Sequence, residues 1–472
     1  MQNIKVSFLR SALGSGHEEN SLTKVLSWID GQREKVSVFL DQIPLIEIRD
    51  WLFDEACGSL RHKTGRFFSV DGVRVNTDWG PVSSWDQPII NQPEVGYLGL
   101  IAKDFKGTLH FLLQAKIEPG NLNAVQLSPT IQATKSNYTQ VHGGLRPDFL
   151  DYFLRAAPKE FLLDQLQSEQ GARFLRKRNR NMIILSDDEF LLPDNFIWLT
   201  LRQLKQLMKI DNCINMDTRT VISGIRYPNL GVCAADVVDG LLPARPLGVH
   251  SHELLRSIFA ADEGVNALKD VFHFLSRIKS QFDINTTQKP LSRLEEWCVS
   301  DLEISRADRK YFKVIGVSVQ ISSREVQTWH QPMIQPAQPG LCGFVAKDFG
   351  GILHFAVQAK VECGNRDIVE LAPTVQCLTG DYRLPDSEPV PFLDELLNAP
   401  ASMVIHDSMQ SEEGGRFYLE ENRSLIVVNN DLPSLLPPQF IWLTLGQLMN
   451  LNQHNNYLNI QARSLLALIG LV

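Results

Sequence analysis

Apolar and polar residues alternate with period two in GVRVNTD (72–78) and again in GVSVQIS (316–322), which predicts half-buried strands. YLGLIAK (97–103) and TLHFLLQAK (108–116) are denser in apolar residues. They read as a strand pair joined through DFKG, a glycine-containing hairpin connection. LCGFVAK (341–347) and ILHFAVQAK (352–360), joined through DFGG, repeat the arrangement. EPGN (118–121) and ECGN (362–365) read as turns into a third strand, VQLSPTIQ or VELAPTVQ. PDFLDYFLRA (147–156), PFLDELLNA (391–399) and LTLRQLKQLMK (199–209) carry helical spacing. The predicted class is α+β, with mixed or antiparallel sheets and flanking helices.

These elements come in two sets. Residues 99–138 and 343–382 match at about half of their positions, and the match extends outward at nearly constant offset. WDQPII (85–90) answers WHQPMI (329–334), and QSEQGARF (167–174) answers QSEEGGRF (410–417). LPDNFIWLTL (192–201) answers LPPQFIWLTL (436–445), and IPLIEIRDW (43–51) faces KPLSRLEEW (289–297). A period this long indicates tandem duplication of a whole domain rather than a solenoid of short units. The stretch 231–253 is rich in Gly, Pro and small residues and reads as the joint. The expected domains are 20–235 and 250–472.

Composition narrows the class. The chain has 472 residues, 44% of them hydrophobic and 21% charged, which fits a globular protein of more than one domain. A formal charge of −8 argues against a nucleic-acid partner. No apolar run reaches the length of a membrane span or a secretory signal, so the expectation is a cytoplasmic protein. Seven cysteines without CxxC spacing fit reduced thiols. The histidines are scattered, His250 and His252 forming the one close pair, so no metal site is expected. No glycine-rich phosphate loop stands between a strand and a helix, and no nicotinamide cofactor is expected.

The longest motif, AKxFxGxLHFLxQAKxEPGNxNxVQLSPTxQATxSNYTxVHGG, resembles the hallmark of NDP-hexose 2,3-dehydratases, and VQAKVECGN with VELAPTVQC resembles the C-terminal half of that family. The resemblance covers nearly the whole chain from about residue 20. It implies a lyase that removes water across C2 and C3 of dTDP-4-keto-6-deoxy-D-glucose in deoxysugar biosynthesis. It also implies a homodimer, two Nudix-like domains per subunit with a nucleotide-sugar pocket in each half, and a downstream 3-ketoreductase acting on the product. One pocket would be catalytic and the other auxiliary. The Nudix box itself is missing, which disfavours metal-dependent pyrophosphate hydrolysis. A non-catalytic nucleotide-sugar sensor is the other competing reading, because fold alone does not fix function.

The implied elimination needs a base at C3, donors at the C4 oxygen and an acid for the departing C2 oxygen. His110 and His354, in matching LHF positions, suit proton transfer or sit in the core. Gln114 and Lys116, like Gln358 and Lys360, alternate in phase with them and suggest a pocket wall. Lys103 and Lys347 are pyrophosphate candidates or solvated lysines. Arg173 and Arg416 suit a bidentate phosphate clamp. Trp85 and Trp329 are candidates for stacking on base or sugar, or for the core. Glu118 and Glu362 follow QAK in both copies, where a buried carboxylate is a candidate base or half of a salt bridge. Thr130, Gln132 and Asn137 are candidate donors. Thr374, Gln376 and Tyr382 persist in the second copy, while Asn137 becomes Asp381. Tyr138 and His142 are the favoured acid–base pair, and His142 is special to the first copy. The expectation is that copy one catalyses while copy two binds nucleotide-sugar and buttresses.

Overall fold

A computed structural model describes residues 2–135, 146–234, 250–322, 327–379 and 389–471. Each repeat contributes one large and one small sheet. In the first repeat the large sheet runs Phe161–Ser168, Arg178–Leu185, Gly96–Phe105, Thr108–Ile117, Phe196–Thr200, with Val125–Pro129 and Ile131–Ala133 added to the two central strands. Its Arg178–Leu185 strand lies parallel to Gly96–Phe105, while the other pairs are antiparallel, so the sheet is mixed. The predicted hairpin closes between Phe105 and Thr108, with Lys106 and Gly107 both at positive φ (52° and 81°), the conformation that suits tight hairpins. The second repeat reproduces this sheet around Gly340–Asp348 and Leu353–Lys360.

The small sheets are where the repeats exchange material. Strand Val38–Ile43 of the first repeat pairs antiparallel with Phe312–Ile321 of the second. Reciprocally, Ile284–Lys289 of the second repeat pairs with Ser69–Thr77 of the first. Both junctions end on a glycine. A Cβ at Gly72 would stand 2.3 Å from the Lys289 carbonyl, and one at Gly316 would stand 2.6 Å from that of Ile43. Neither position can carry a side chain without moving the borrowed strand.

The centre is built the same way. Helices Met216–Ser223 and Ile460–Leu468 lie together, and every residue of the first is buried. Arg219 and Arg463, each 1% exposed, reach across the seam. Arg219 donates to the Ser411 carbonyl at 2.6 Å and to Ser464 Oγ at 2.8 Å. Arg463 donates to Thr220 Oγ1 at 3.0 Å and to the Ser168 carbonyl. One hydrophobic core runs from Phe8 to Leu471 through both repeats. It includes helix Gln2–Leu13, upstream of residue 20, whose counterpart is Ser251–Phe259. Ser11 and Ser257 make matching bonds, donating to Leu109 and Leu353 carbonyls.

Candidate active site

The polar groups converge where the large sheet of one repeat meets the turn 410–417, or 167–174, of the other. In the first repeat Lys116 ends its strand and donates through Nζ to the Gln132 carbonyl at 3.1 Å. Gln132 donates through Nε2 to Glu118 Oε1 at 2.7 Å. Asn215 donates to Gln132 Oε1 at 3.1 Å and to Ser128 Oγ at 2.8 Å, while its own Oδ1 caps helix Met216–Ser223. The capped helix therefore fixes the amide that orients Gln132, and Gln132 orients the carboxylate. Glu118 is only 5% exposed.

The second repeat holds the same network. Lys360 donates to the Gln376 carbonyl at 3.2 Å, Gln376 to Glu362 at 3.1 Å, and Asn459 to Gln376 at 2.8 Å. Burial raises the Glu362 carboxyl above the usual range, against the lowering influence of Lys360 and Gln376.

Each network is completed by the other repeat. Gly120, in the turn after Glu118, donates its N–H to the Gly414 carbonyl, and Leu419 donates back to Gly120 at 3.0 Å. This brings Glu413 and Arg416 of the second repeat to Glu118, whose charge both of them feel. Trp329 of the second repeat packs on the cluster that contains Ile117 and Val125 of the first, and donates to Gln331 at 2.9 Å. Gln331 donates to the Gly415 carbonyl at 2.7 Å. The mirror arrangement places Arg173, Gln87 and Trp85 of the first repeat beside the Glu362 network, with Gln87 donating to the Ala172 carbonyl at 2.9 Å. Arg416 and Arg173 lie 4.1 Å over the rings of Phe68 and Phe312, and the Nε of each is buried without a hydrogen-bond partner. A guanidinium flattened on an aromatic face keeps its fork aimed in one direction.

Other sequence candidates do not join these networks. His110 is fully buried. Its Nδ1–H donates to the Thr108 carbonyl and its Nε2 accepts the Glu19 N–H, so both ring nitrogens are occupied by backbone. His354 does the same with Ile352 and Val265. Burial lowers the pKa of both rings, favouring the neutral form that this bonding needs. His110 also lies seven residues, about 23 Å of extended strand, from Ile117, the residue before Glu118. The expected polar face is broken by the core residue Leu112. The structure thus places His110 and His354 in the core, bonded to backbone and apart from the Glu118 and Glu362 networks.

Lys103 is also at the far end, where it donates to the Asp188 carbonyl at 2.7 Å and to Glu189 at 3.0 Å. Lys347 holds the carbonyls of Asn430 and Leu432. Thr130 and Thr374 fill the break between two short strands, each donating to a strand carbonyl (Leu112, Ala356) and accepting an N–H from Ile101 or Val345. Gln358 donates to the Pro373 carbonyl at 2.9 Å, and Gln114 is half-buried on its strand. Asn137, Tyr138, His142 and Tyr382 lie outside the described residues. Asn215, Asn459 and Gln331 were not among the sequence candidates. Comparing the second helix after FIWLTL in the two copies could have exposed the two asparagines, each of which caps a buried helix of its own copy. Among the described residues no three His, Cys, Asp or Glu side chains are placed to share a metal ion.

Comparison with known proteins agrees with the duplicated architecture. The family described as NDP-hexose 2,3-dehydratase matches twice, over residues 22–225 and 268–469. A dTDP-4-dehydro-6-deoxy-alpha-D-glucopyranose 2,3-dehydratase of Saccharopolyspora spinosa is 42% identical over 98% of this chain and 93% of its own. Enzymes of the same name from Amycolatopsis orientalis and Streptomyces violaceoruber are each 40% identical, over 94% and 91% of this chain and 89% and 93% of theirs. This chain, with its two interlocked repeats, belongs to the NDP-hexose 2,3-dehydratase family.

Proposed function

We propose that this protein removes water across C2 and C3 of dTDP-4-dehydro-6-deoxy-D-glucose, and that the first repeat's network is the catalytic one. The observation that carries the reading is a buried carboxylate, Glu118, held by Gln132, which Asn215 orients, with Lys116 and Arg416 in the same network. A base held in this way can take the C3 proton, which the 4-ketone acidifies. Cations and amide donors beside it suit the enolate oxygen and the diphosphate. Trp329 offers an aromatic surface for the base or the sugar. Tyr138 and His142, in the sequence that follows Gln132, are proposed as further proton-transfer groups, with Asn137 as a donor. The second repeat, through Glu362, Gln376, Lys360 and Arg173, is proposed to bind nucleotide-sugar without turning it over. The elimination changes no oxidation state overall and is proposed to need no cofactor. The product, an enol that tautomerises to a 3,4-diketosugar, is proposed to pass to a 3-ketoreductase. A homodimer and a cytoplasmic setting complete the proposal.

The test is incubation of the purified protein with dTDP-4-dehydro-6-deoxyglucose, NADPH and a 3-ketoreductase that traps the product. Mass spectrometry should find a 2,6-dideoxy-4-ketosugar nucleotide. Tight binding of the sugar nucleotide with no such product would favour a sensor instead.

A further inference from the structure

The two networks are alike in Lys, Gln, Glu and Asn, but not in the groups around the carboxylate. Gly414 in the second repeat's turn corresponds to Gly171 in the first, so Glu413 corresponds to Gln170. Helix positions Asp217 and Gln461 correspond in the same way, two residues after the capping asparagines. At these two positions the first repeat's network has the carboxyl groups of Glu413 and Asp217 near Glu118, where the second repeat's has two amides near Glu362.

These three groups are placed for something other than pairing with each other. Asp217 is 4% exposed and lies among Glu118, Glu169, Glu413 and Lys116. Glu413 Oε1 accepts the Gly415 N–H at 3.1 Å, while Oε2 is buried with no partner. Asn121, 4% exposed in the turn after Glu118, has neither its amide oxygen nor its amide nitrogen bonded. Unmet buried polar atoms on two separate segments beside Glu118 mark a place where a polar ligand belongs.

We propose that Glu413, supplied by the second repeat, is the proton donor to the departing C2 oxygen in the first repeat's site. The inference rests on the reaction proposed above. One Glu118 oxygen accepts from Gln132, whereas Glu413 meets the negative charge of Glu118 with one oxygen unbonded. Burial, and then that neighbouring charge, push the Glu413 carboxyl upward from its usual range. The division of labour follows. Glu118 accepts the C3 proton, and the C3–H electron pair forms the C3–C4 enolate. That pair then moves into C2–C3 as the C4 ketone re-forms, and the C2–O bond breaks with its electrons. The leaving oxygen takes the proton of Glu413 and departs as water. One proton enters the carboxyl cluster and one leaves, so no co-reactant is needed.

The test compares wild type with Glu413→Gln and Glu413→Asp in full-length protein, in deuterated buffer with the trapping reductase. Loss of the donor should lower turnover at least about 100-fold in Glu413→Gln, with dTDP binding by calorimetry unchanged and deuterium still entering C3 of the recovered substrate. Glu413→Asp, which keeps the carboxyl group and serves if the amide variant folds poorly, should regain part of the rate. Turnover by Glu413→Gln within twofold of wild type overturns the inference, as does loss of C3 exchange in parallel with turnover. Failure of the wild type to act on this sugar would instead overturn the proposed function.

Discussion

Gly120 donates its N–H to the Gly414 carbonyl at 2.6 Å, and Gly364 donates to Gly171 at 2.7 Å. Each glycine sits in the turn that follows a network glutamate, and each bond joins one repeat to the other. A Cβ at Gly120 would stand 1.7 Å from the Phe417 carbonyl oxygen, and one at Gly364 would stand 1.9 Å from that of Phe174. Gly120→Ala should therefore cost about 1–3 kcal/mol, as overpacking does. It should also lower turnover by displacing Glu118 from Glu413 and Arg416. Thermal denaturation and the coupled assay check this, and an unchanged melting temperature would refute it.

Glu118→Gln keeps the shape of the side chain and removes the base. Turnover should fall about 10²- to 10⁴-fold while dTDP-sugar affinity stays near wild type. Calorimetry beside the coupled assay separates the two. A large loss of affinity with normal turnover of bound substrate would assign Glu118 to binding.

Because each pocket borrows from the opposite repeat, substitutions in the second repeat should damage the first repeat's chemistry. Trp329→Ala and Arg416→Ala should each weaken kcat/KM by roughly 10-fold or more, the scale of losing a stacked ring or a charge-assisted contact. Trp85→Ala and Arg173→Ala should cost less. The reverse ranking would move catalysis to the Glu362 network.

Glu370 is buried and accepts a hydrogen bond from Ser168 at 2.7 Å; burial pushes its carboxyl up to about 7. The folded chain thus holds a proton between about pH 4.5 and 7 that the unfolded chain releases, and stability contributed by this group is lost as pH rises through that window. At the corresponding place the first repeat has Gln126, which accepts from Ser411 at 2.8 Å. Glu370→Gln should therefore fold, melt higher at pH 8 by on the order of 1–3 kcal/mol of stability, and show a flatter dependence of melting temperature on pH. Equal slopes in the two proteins would contradict this.

Arg219 is the anchor of the central seam. Arg219→Ala strands the carbonyls of Ile214 and Ser411 and the side chains of Gln410 and Ser464. A loss of about 3–5 kcal/mol is expected on chemical denaturation. A loss under about 1 kcal/mol would mean that the seam does not depend on it.

The class, the hairpins and the duplication were legible because they are local or repeated. Period-two alternation marks GVRVNTD whatever it pairs with, and Lys106-Gly107 announces its turn. The identity of the partner strand was not legible. Nothing in VFLDQI says that it joins the sheet of residues 312–321 rather than that of 69–77, since both present the same edge. The pocket was half legible for the same reason. Lys116, Glu118 and Gln132 share one stretch of sequence and one network. Glu413 and Asp217 come from elsewhere, and only the difference between the copies at Gln170 and Gln461 hints at them. His110 was left between two readings because an in-phase position on a strand says nothing about which end of the strand the network occupies.

The strand exchange also has a consequence for synthesis on the ribosome. Val38 pairs with Ile321, roughly 280 residues further along, so at about 5–20 residues per second its partner emerges some 15–60 s later. Ser69–Thr77 waits about 210 residues, some 10–40 s, for Ile284–Lys289, and until then it offers an open sheet edge, the kind that invites the wrong neighbour. The same strand on another nascent chain is such a neighbour, since Val38–Ile43 would dock there much as Ile284–Lys289 eventually does. Rapid elongation, or a chaperone that shields the growing first half, should therefore raise the yield of correctly closed molecules more than it would for a protein whose halves mature independently.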